Sequence, residues 1–397
     1  MTHRRILMTT AAAVLLLLLS VCCAAAETAE EITAGCSFTN NGKTKDCSTL
    51  TDGDYSTYLP FKEKKGELLI KTGEPAAGLY VKLYNNDNKP LSYDVQVPGE
   101  NGEWVTAAQG GGLLVHWHAL ENPVTEMKIV CTSKERLRIA ELKVYGPGDK
   151  PAEVQVWNEL EKCDLMLLST HPDDELLWFG GLLPTYAGDR GLRVQLTVMV
   201  PTGTLRRLEL LDAIWHCGVT AYPDFLFFVD NRGKSVANQY ERWRGKSRVI
   251  GRVVESIRHH QPEVIVTHGE KGEYGHMAHR TTADAAKNAV KVCGNASKYK
   301  ESAKKYGAWQ VKKLYLHEYA KNPVICDWDE PLKAFGGKTG FDVAEEAFRF
   351  HASQVKRDWE FSRRGEHDNA AFGLYYTEVG TDTGTGDLME HIGTAEP

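Results

Sequence analysis

The chain has 397 residues, 42% apolar and 25% charged, enough for two domains that each bury a core, and this balance excludes a fibre or a disordered chain. Lys and Arg number 47 against 53 Asp and Glu, a formal net charge of -6 with no long basic block, so composition gives no footprint for a nucleic-acid partner.

The opening stretch "MTHRRILMTTAAAVLLLLLSVCCAAAETAE" joins a basic start at Arg4 and Arg5 to an apolar run and the small residues Ala24, Ala25 and Ala26. It reads as a signal peptide over residues 1–26 and predicts a secreted or cell-surface protein with no integral membrane segment after cleavage. The run from Ile6 to Cys23 is about long enough to span a bilayer, so an uncleaved anchor is the competing reading. Val21 stands where a lipidated Cys22 would follow a small residue. Two of the nine cysteines lie here, and the seven that remain are too sparse for a disulfide scaffold. Cys36 and Cys47 flank a short stretch that a disulfide could close, whereas Cys163, Cys217 and Cys293 read as buried thiols. With no Cys-x-x-Cys pair, a thiolate metal site is not expected.

Residues 27–147 carry short alternating runs such as "ELLIKTG", "LSYDVQVPG" and "RIAELKVYG", punctuated by Gly, Asn, Asp and Pro, which predict an all-β sandwich. In "LVHWHAL", His116 and His118 share a strand face without a third ligand nearby and read as solvated strand residues, and "KEKK" at 62–65 reads as a solvated charge run. "GPGDKPAE" opens a linker that extends to residue 158. Over 159–397 the period changes: "CDLMLLST", "LRVQLTVMV", "PEVIVTHG" and "KKLYLHEY" are apolar on both faces and separated by amphipathic runs. That pattern predicts a doubly wound α/β domain with a mostly parallel sheet and its ligand site at the carboxyl ends of the strands. His259 and His260 close one of its helices.

"HPDDE" follows "DLMLLST" at such a strand end. His171 and Asp174, three apart, can reach one divalent metal, which makes the crowding of Asp173, Asp174 and Glu175 tolerable and leaves Asp173 free to handle a proton. Glu175 is either helix-start charge or a support for a ligand. "VIVTHGEKGEYGHMAHR" offers His276 and His279, again three apart: one can bind metal while the other faces substrate. Several first-row metals suit a His, Asp, His set, so zinc is expected with iron as an alternative.

"HPDDE" together with "GEYGHMAHR" resembles the GlcNAc-phosphatidylinositol de-N-acetylase family, PIG-L or LmbE-like, from about residue 160 onward. The resemblance implies a Rossmann-like α/β fold and a zinc-dependent enzyme that removes the acetyl group from an N-acetylated amino sugar or a related amide. It implies His171, Asp174 and His279 as metal ligands, Asp173 as general base and then acid, His276 as oxyanion stabiliser, and Tyr274 as an aid to carbonyl polarisation. "RRLELLDAIWHCGV" resembles the family's Arg-x-x-Glu helix and makes Arg206 a sugar-hydroxyl contact, as Asp230 after "FLFFV" would be. The family often has Pro-Asp between the two histidines. Here Met277 and Ala278 replace them, so either Glu270 or Glu273 substitutes for that carboxylate or His276 is less readily protonated. The amino-terminal part resembles a discoidin, galactose-binding-like sandwich through "LTDGDYSTYLPF" and "RIAELKVYG", with Tyr55, Tyr58, Trp104 and Trp117 available to a sugar or to packing. The competing classes are an inactive glycan-binding surface protein and an amidase acting on a non-sugar amide.

Overall fold

The computed structural model describes residues 27–44, 47–61, 66–86 and 88–393, so the signal peptide expected over 1–26 and the charge run at 62–65 lie outside the described residues. The first module is all-β: β1 (Ser37–Asn40), β2 (Lys43–Thr44), β3 (Leu59–Pro60), β4 (Glu67–Leu83), β5 (Ser92–Pro98), β6 (Trp104–Gly111), β7 (Val115–Cys131) and β8 (Arg138–Tyr145). Strands β4 and β7 pair along their length, but their register shifts between Lys71 and Gly78. Before the shift β4 pairs with β1, and beyond it with β8. The two halves therefore face each other. Leu68, Ile70, Val95, Met127 and Ile129 share one core with Leu79, Val81, Leu83, Ile139, Leu142 and Val144.

The four aromatic candidates of this module are engaged in packing. Tyr58 stacks on Tyr84 at 4.3 Å, Lys128 lies 4.3 Å over Trp104, and Trp117 meets Tyr145 edge-on. Gly78 makes room for the Trp117 ring, since a Cβ there would stand 2.0 Å from a ring carbon. The reading of His118 as solvated is wrong: the residue is buried, and its Nε2 lies 2.8 Å from the Tyr93 hydroxyl. Strand alternation turns His118 inward, and the phenol supplies the partner that lets a polar ring stay there. Cys36 donates to the Ile32 carbonyl, and Cys47 packs in the module core.

The second module is built from β9 (Leu165–Ser169), α1 (Asp174–Leu177), β10 (Val194–Val198), α2 (Thr204–His216), β11 (Asp224–Phe225), α3 (Val236–Arg242), α4 (Lys246–His260), β12 (Val264–Thr267), α5 (Met277–Ala289), α6 (Lys300–Tyr306), β13 (Lys313–His317), β14 (Pro323–Ile325), α7 (Gly340–Phe348), α8 (Ala352–Val355) and β15 (Ala371–Thr377). Its sheet runs β11-β10-β9-β12-β13-β15-β14. The first five strands are parallel, and β15 runs antiparallel between β13 and β14. Leu165 and Leu167 face one core while Met166 and Leu168 face the other, which is why these strands are apolar throughout. On α4, Val249, Ile250, Val253, Val254 and Ile257 form the buried stripe. Chain order reverses direction between β9 and β12, and the crevice beyond their carboxyl ends is where such a sheet accommodates a ligand.

Candidate active site

The segment after β9 turns sharply. Asp173 holds φ 118°, a conformation costly for a non-glycine residue, and surrounding bonds hold it there. Its backbone N–H donates to Glu175 Oε2 at 2.8 Å, and Glu175 Oε1 lies 2.6 Å from Nε2 of the buried His351. Arg206, near the start of α2, lies 2.7 Å from Asp173 Oδ2 and also donates to the Pro172 carbonyl. Glu175 therefore acts as a support, for the Asp173 turn rather than for a ligand. The Arg206 guanidinium is committed to Asp173.

Asp174 points the other way. Its Oδ2 accepts the His171 N–H at 2.6 Å, and its Oδ1 accepts the Trp178 indole N–H at 2.9 Å. His171 Nδ1 lies 3.3 Å from Asp174 Oδ2 and 3.2 Å from His279 Nε2, and His279 Nε2 lies 3.4 Å from Asp174 Oδ2. Ligands about 2.0–2.1 Å from a tetrahedral ion stand about 3.3–3.4 Å apart, so these three donors fit one dication. His276 also brings a nitrogen within 4.8 Å of His171 and His279. His268 lies 3.4 Å from Asp174, but its Nε2 accepts the Thr170 N–H at 3.0 Å, which occupies the lone pair a ligand needs.

Beneath the donors lies the Glu273 carboxylate, in a role other than the orientation of His276 expected from sequence. Glu273 Oε2 accepts from Nδ1 of both His268 and His279 at 2.7 Å, and Oε1 accepts from His317 Nδ1 at 2.7 Å. The bond to His279 fixes its proton on Nδ1 and leaves Nε2 free to coordinate. Neither acid suggested for His276 reaches it: Glu270 pairs with Lys287, and Glu273 is engaged below the site. The positive φ of Tyr274 and Gly275 turns the chain between Glu273 and His276. His276 Nδ1 is buried without a hydrogen-bond partner among the described residues.

Burial raises Asp173 to about 7, with Arg206 opposing and Asp174 reinforcing the shift. Burial also opposes ionisation of Asp174, but His279 and His171 hold it well below the usual carboxylate range. His276 is pushed down to about 3 by burial and by the neighbouring His279 and His171, which keeps it neutral. Burial raises Tyr274, so its hydroxyl stays protonated. A cavity of about 130 Å³ opens over these groups, walled by Trp178, Tyr274 and Trp359. Asp230 stands at its mouth, with Oδ1 3.7 Å from His171 Nε2 and its side chain 56% exposed. All nine residues singled out from sequence thus gather here. His268, Glu273, His317, His351 and Trp178 complete the surroundings.

Residues 166–290 match the family model described as PIG-L, GlcNAc-PI de-N-acetylase. A curated relative from Catenulispora acidiphila, 1D-myo-inositol 2-acetamido-2-deoxy-alpha-D-glucopyranoside deacetylase 1, is 28% identical over 211 residues, covering 46% of this chain and 63% of its own. Relatives of the same description from Frankia casuarinae and Mycobacteroides abscessus are covered over 64% and 58% of their length, so the chain spans about three fifths of these proteins. Among solved structures, the N,N'-diacetylchitobiose deacetylase from Pyrococcus horikoshii is 19% identical over 48% of this chain and 70% of its own, with a TM-score of 0.39.

Proposed function

We propose that the protein is a secreted, metal-dependent de-N-acetylase that hydrolyses the acetamide of a GlcNAc-like amino sugar or glycan. The observation that carries this reading is geometric: donor atoms of His171, Asp174 and His279 lie 3.2–3.4 Å from one another, while Asp173, one residue away, faces the cavity, where burial raises its carboxyl and the histidines hold that of Asp174 low. Two adjacent carboxylates with such different proton affinities suit a metal ligand beside a proton carrier. The leader-like residues 1–26 support secretion, and the acetamido-sugar activity named for the relatives supports the substrate class.

His171, Asp174 and His279 would hold the ion, Zn²⁺ or another divalent metal such as Fe²⁺. Once bound, it supplies positive charge for a carbonyl oxygen and lowers the pKa of water to about 7. Asp173 takes the proton from the attacking water and returns it to the departing amine nitrogen, both transfers being accessible to a carboxyl near 7. Arg206 holds that carboxylate in place through the 2.7 Å contact. His276 and Tyr274, both retaining an N–H or O–H, donate to the acetamide oxygen as charge develops on it. Asp230 at the mouth accepts from a sugar hydroxyl, and Trp178 with Trp359 keeps water from the far wall.

The test is acetate release from N-acetylglucosamine, N,N'-diacetylchitobiose and larger N-acetyl glycans, with metal analysis of the same sample. Asp173→Asn should lower kcat by about 10²–10⁴ with little change in KM. Acetate release by that variant at the wild-type rate, or a purified active chain without stoichiometric metal, would sink the reading.

A further inference from the structure

Helix α2 presents two faces to two different partners. Arg206 and Glu209, three residues apart, share the face toward the site. Arg206 reaches Asp173 Oδ2 at 2.7 Å, and Glu209 accepts the Ser353 N–H at 2.7 Å and its hydroxyl at 2.6 Å, close to the buried His351. The other stripe, Thr204, Arg207, Leu208, Leu211, Asp212 and Trp215, follows the helical spacing and turns to the first module and the linker. Leu208 and Leu211 pack with Tyr80, Leu114 and Val115. Asp212 Oδ1 lies 2.5 Å from Lys82 Nζ, and the Trp215 indole donates to the Ala152 carbonyl at 2.9 Å.

The start of α2 depends on the first module most directly. Its N-cap is Gly203, which has no side chain to accept from the first helical N–H groups. Asn86, just beyond β4, supplies the acceptor: its Oδ1 takes the Thr204 N–H at 2.6 Å and the Thr204 hydroxyl at 2.7 Å. Thr204 Oγ1 in turn accepts the Asn85 N–H at 3.0 Å, and Arg207 donates to the Asn85 carbonyl. These four bonds close on one helical turn, the turn that carries Arg206. Arg206 donates to the Pro172 carbonyl as well as bracing Asp173, whose φ of 118° needs support from its surroundings. The contacts at Asp212 and Trp215 lie about 9 and 14 Å farther along the axis, at 1.5 Å per residue.

We propose that Asn86 is a positioning residue for the deacetylation: through it the amino-terminal module fixes the first turn of α2, and with that turn the Arg206–Asp173 pair. The effect on rate rests on the deacetylase reading, whereas the coupling between the modules does not. Asn85 and Asn86 precede residue 166, where the family match begins, so this clasp comes from outside the matched stretch. The amino-terminal module is then part of how the site is assembled, independent of any ligand of its own.

The test compares Asn86→Ala, which removes both accepted bonds, with Asn86→Asp, which keeps an acceptor in place and puts negative charge at a helix start. The second oxygen of the aspartate can accept from the Tyr84 hydroxyl, to which Asn86 Nδ2 now donates at 2.7 Å. Asn86→Ala should lower kcat for acetate release about three- to tenfold with KM nearly unchanged, and Asn86→Asp should recover it. In an Arg206→Ala background Asn86→Ala should cost nothing further, because the two residues act in series. Trp215→Phe, which loses the indole bond at the far end of the helix, should leave kcat unchanged. Hydrogen exchange over residues 204–207 and 173–178 reads the coupling without activity: Asn86→Ala should speed exchange in both segments, and the second response should vanish in the Arg206→Ala background. A wild type that releases no acetate while exchange responds in this way sinks the deacetylase reading and leaves the coupling standing. Equal kcat in an active wild type and Asn86→Ala, no recovery by Asn86→Asp, an additive loss in the double variant, or exchange that quickens at 204–207 alone would overturn the proposal. A loss in Trp215→Phe equal to that in Asn86→Ala also counts against it.

Discussion

Glu273→Gln removes the charge beneath the metal donors with almost no change in volume. The carboxylate accepts three imidazole N–H bonds at 2.7 Å and the Gly269 N–H at 3.3 Å. A carboxamide has one accepting oxygen and one donating nitrogen, so in either orientation a donor must oppose a donor. If the nitrogen turns to the Oε1 side, it opposes the Gly269 N–H, and His317 can meet it only with a bare Nδ1, since its Nε2 donates to the Asp368 carbonyl at 3.0 Å. If it turns to the Oε2 side, His268 cannot move its proton because its Nε2 accepts from Thr170, so His279 must shift its proton to Nε2 and lose the lone pair aimed at the ion. Losing one charge-assisted bond and stranding one buried donor costs about 3 kcal/mol. A displaced support of a histidine ligand lowers metal affinity about 10–100-fold. Denaturant unfolding of the metal-free chain and competition with a zinc chelator measure the two effects separately. A glutamine variant with wild-type zinc affinity and wild-type stability refutes the reasoning, whereas a loss of stability with intact zinc affinity confines Glu273 to folding.

Arg206→Ala should lower kcat about 10–100-fold by releasing the Asp173 carboxylate, with Arg206→Lys recovering only part because it cannot span both Asp173 and the Pro172 carbonyl. Steady-state kinetics that leave kcat untouched would remove Arg206 from the mechanism. Trp178→Phe deletes the 2.9 Å indole bond to Asp174 and should weaken zinc binding up to about tenfold in the chelator assay, with the aromatic wall retained. His118 is held neutral, down to about 4, by burial and by the adjacent His116. A depressed imidazole contributes stability that is intact above about 6.5 and is lost as pH falls toward 4, so the wild type should lose about 2–3 kcal/mol more than His118→Gln between pH 7 and 4.5. Parallel acid unfolding of the two proteins would contradict this.

What could be read from sequence and what could not divide along a physical line. A metal site at a strand end draws its donors from short windows, so His171 with Asp174, and His276 with His279, announce themselves through spacing and position after an apolar run. The switch from alternating to doubly buried strands marked the two modules for the same reason, since periodicity is local. The supports are not local: His351 meets Glu175 across 176 residues, His317 meets Glu273 across 44, and Arg206 reaches Asp173 from another helix. His118 was misjudged because alternation gives a face without saying which face is covered. One signal for Glu273 was nonetheless present. "VIVTH" and "KLYLH" both end apolar strands in histidine, and β12 and β13 prove to be parallel neighbours with Thr267 opposite Leu316. Two imidazoles that leave adjacent strand ends into a buried crevice need a common acceptor, and the first buried acid to follow His268, five residues on, is Glu273. Its carboxylate then serves three rings at once, which is why it sits below the donors rather than beside His276, where the Met277-Ala278 substitution had suggested a carboxylate was missing.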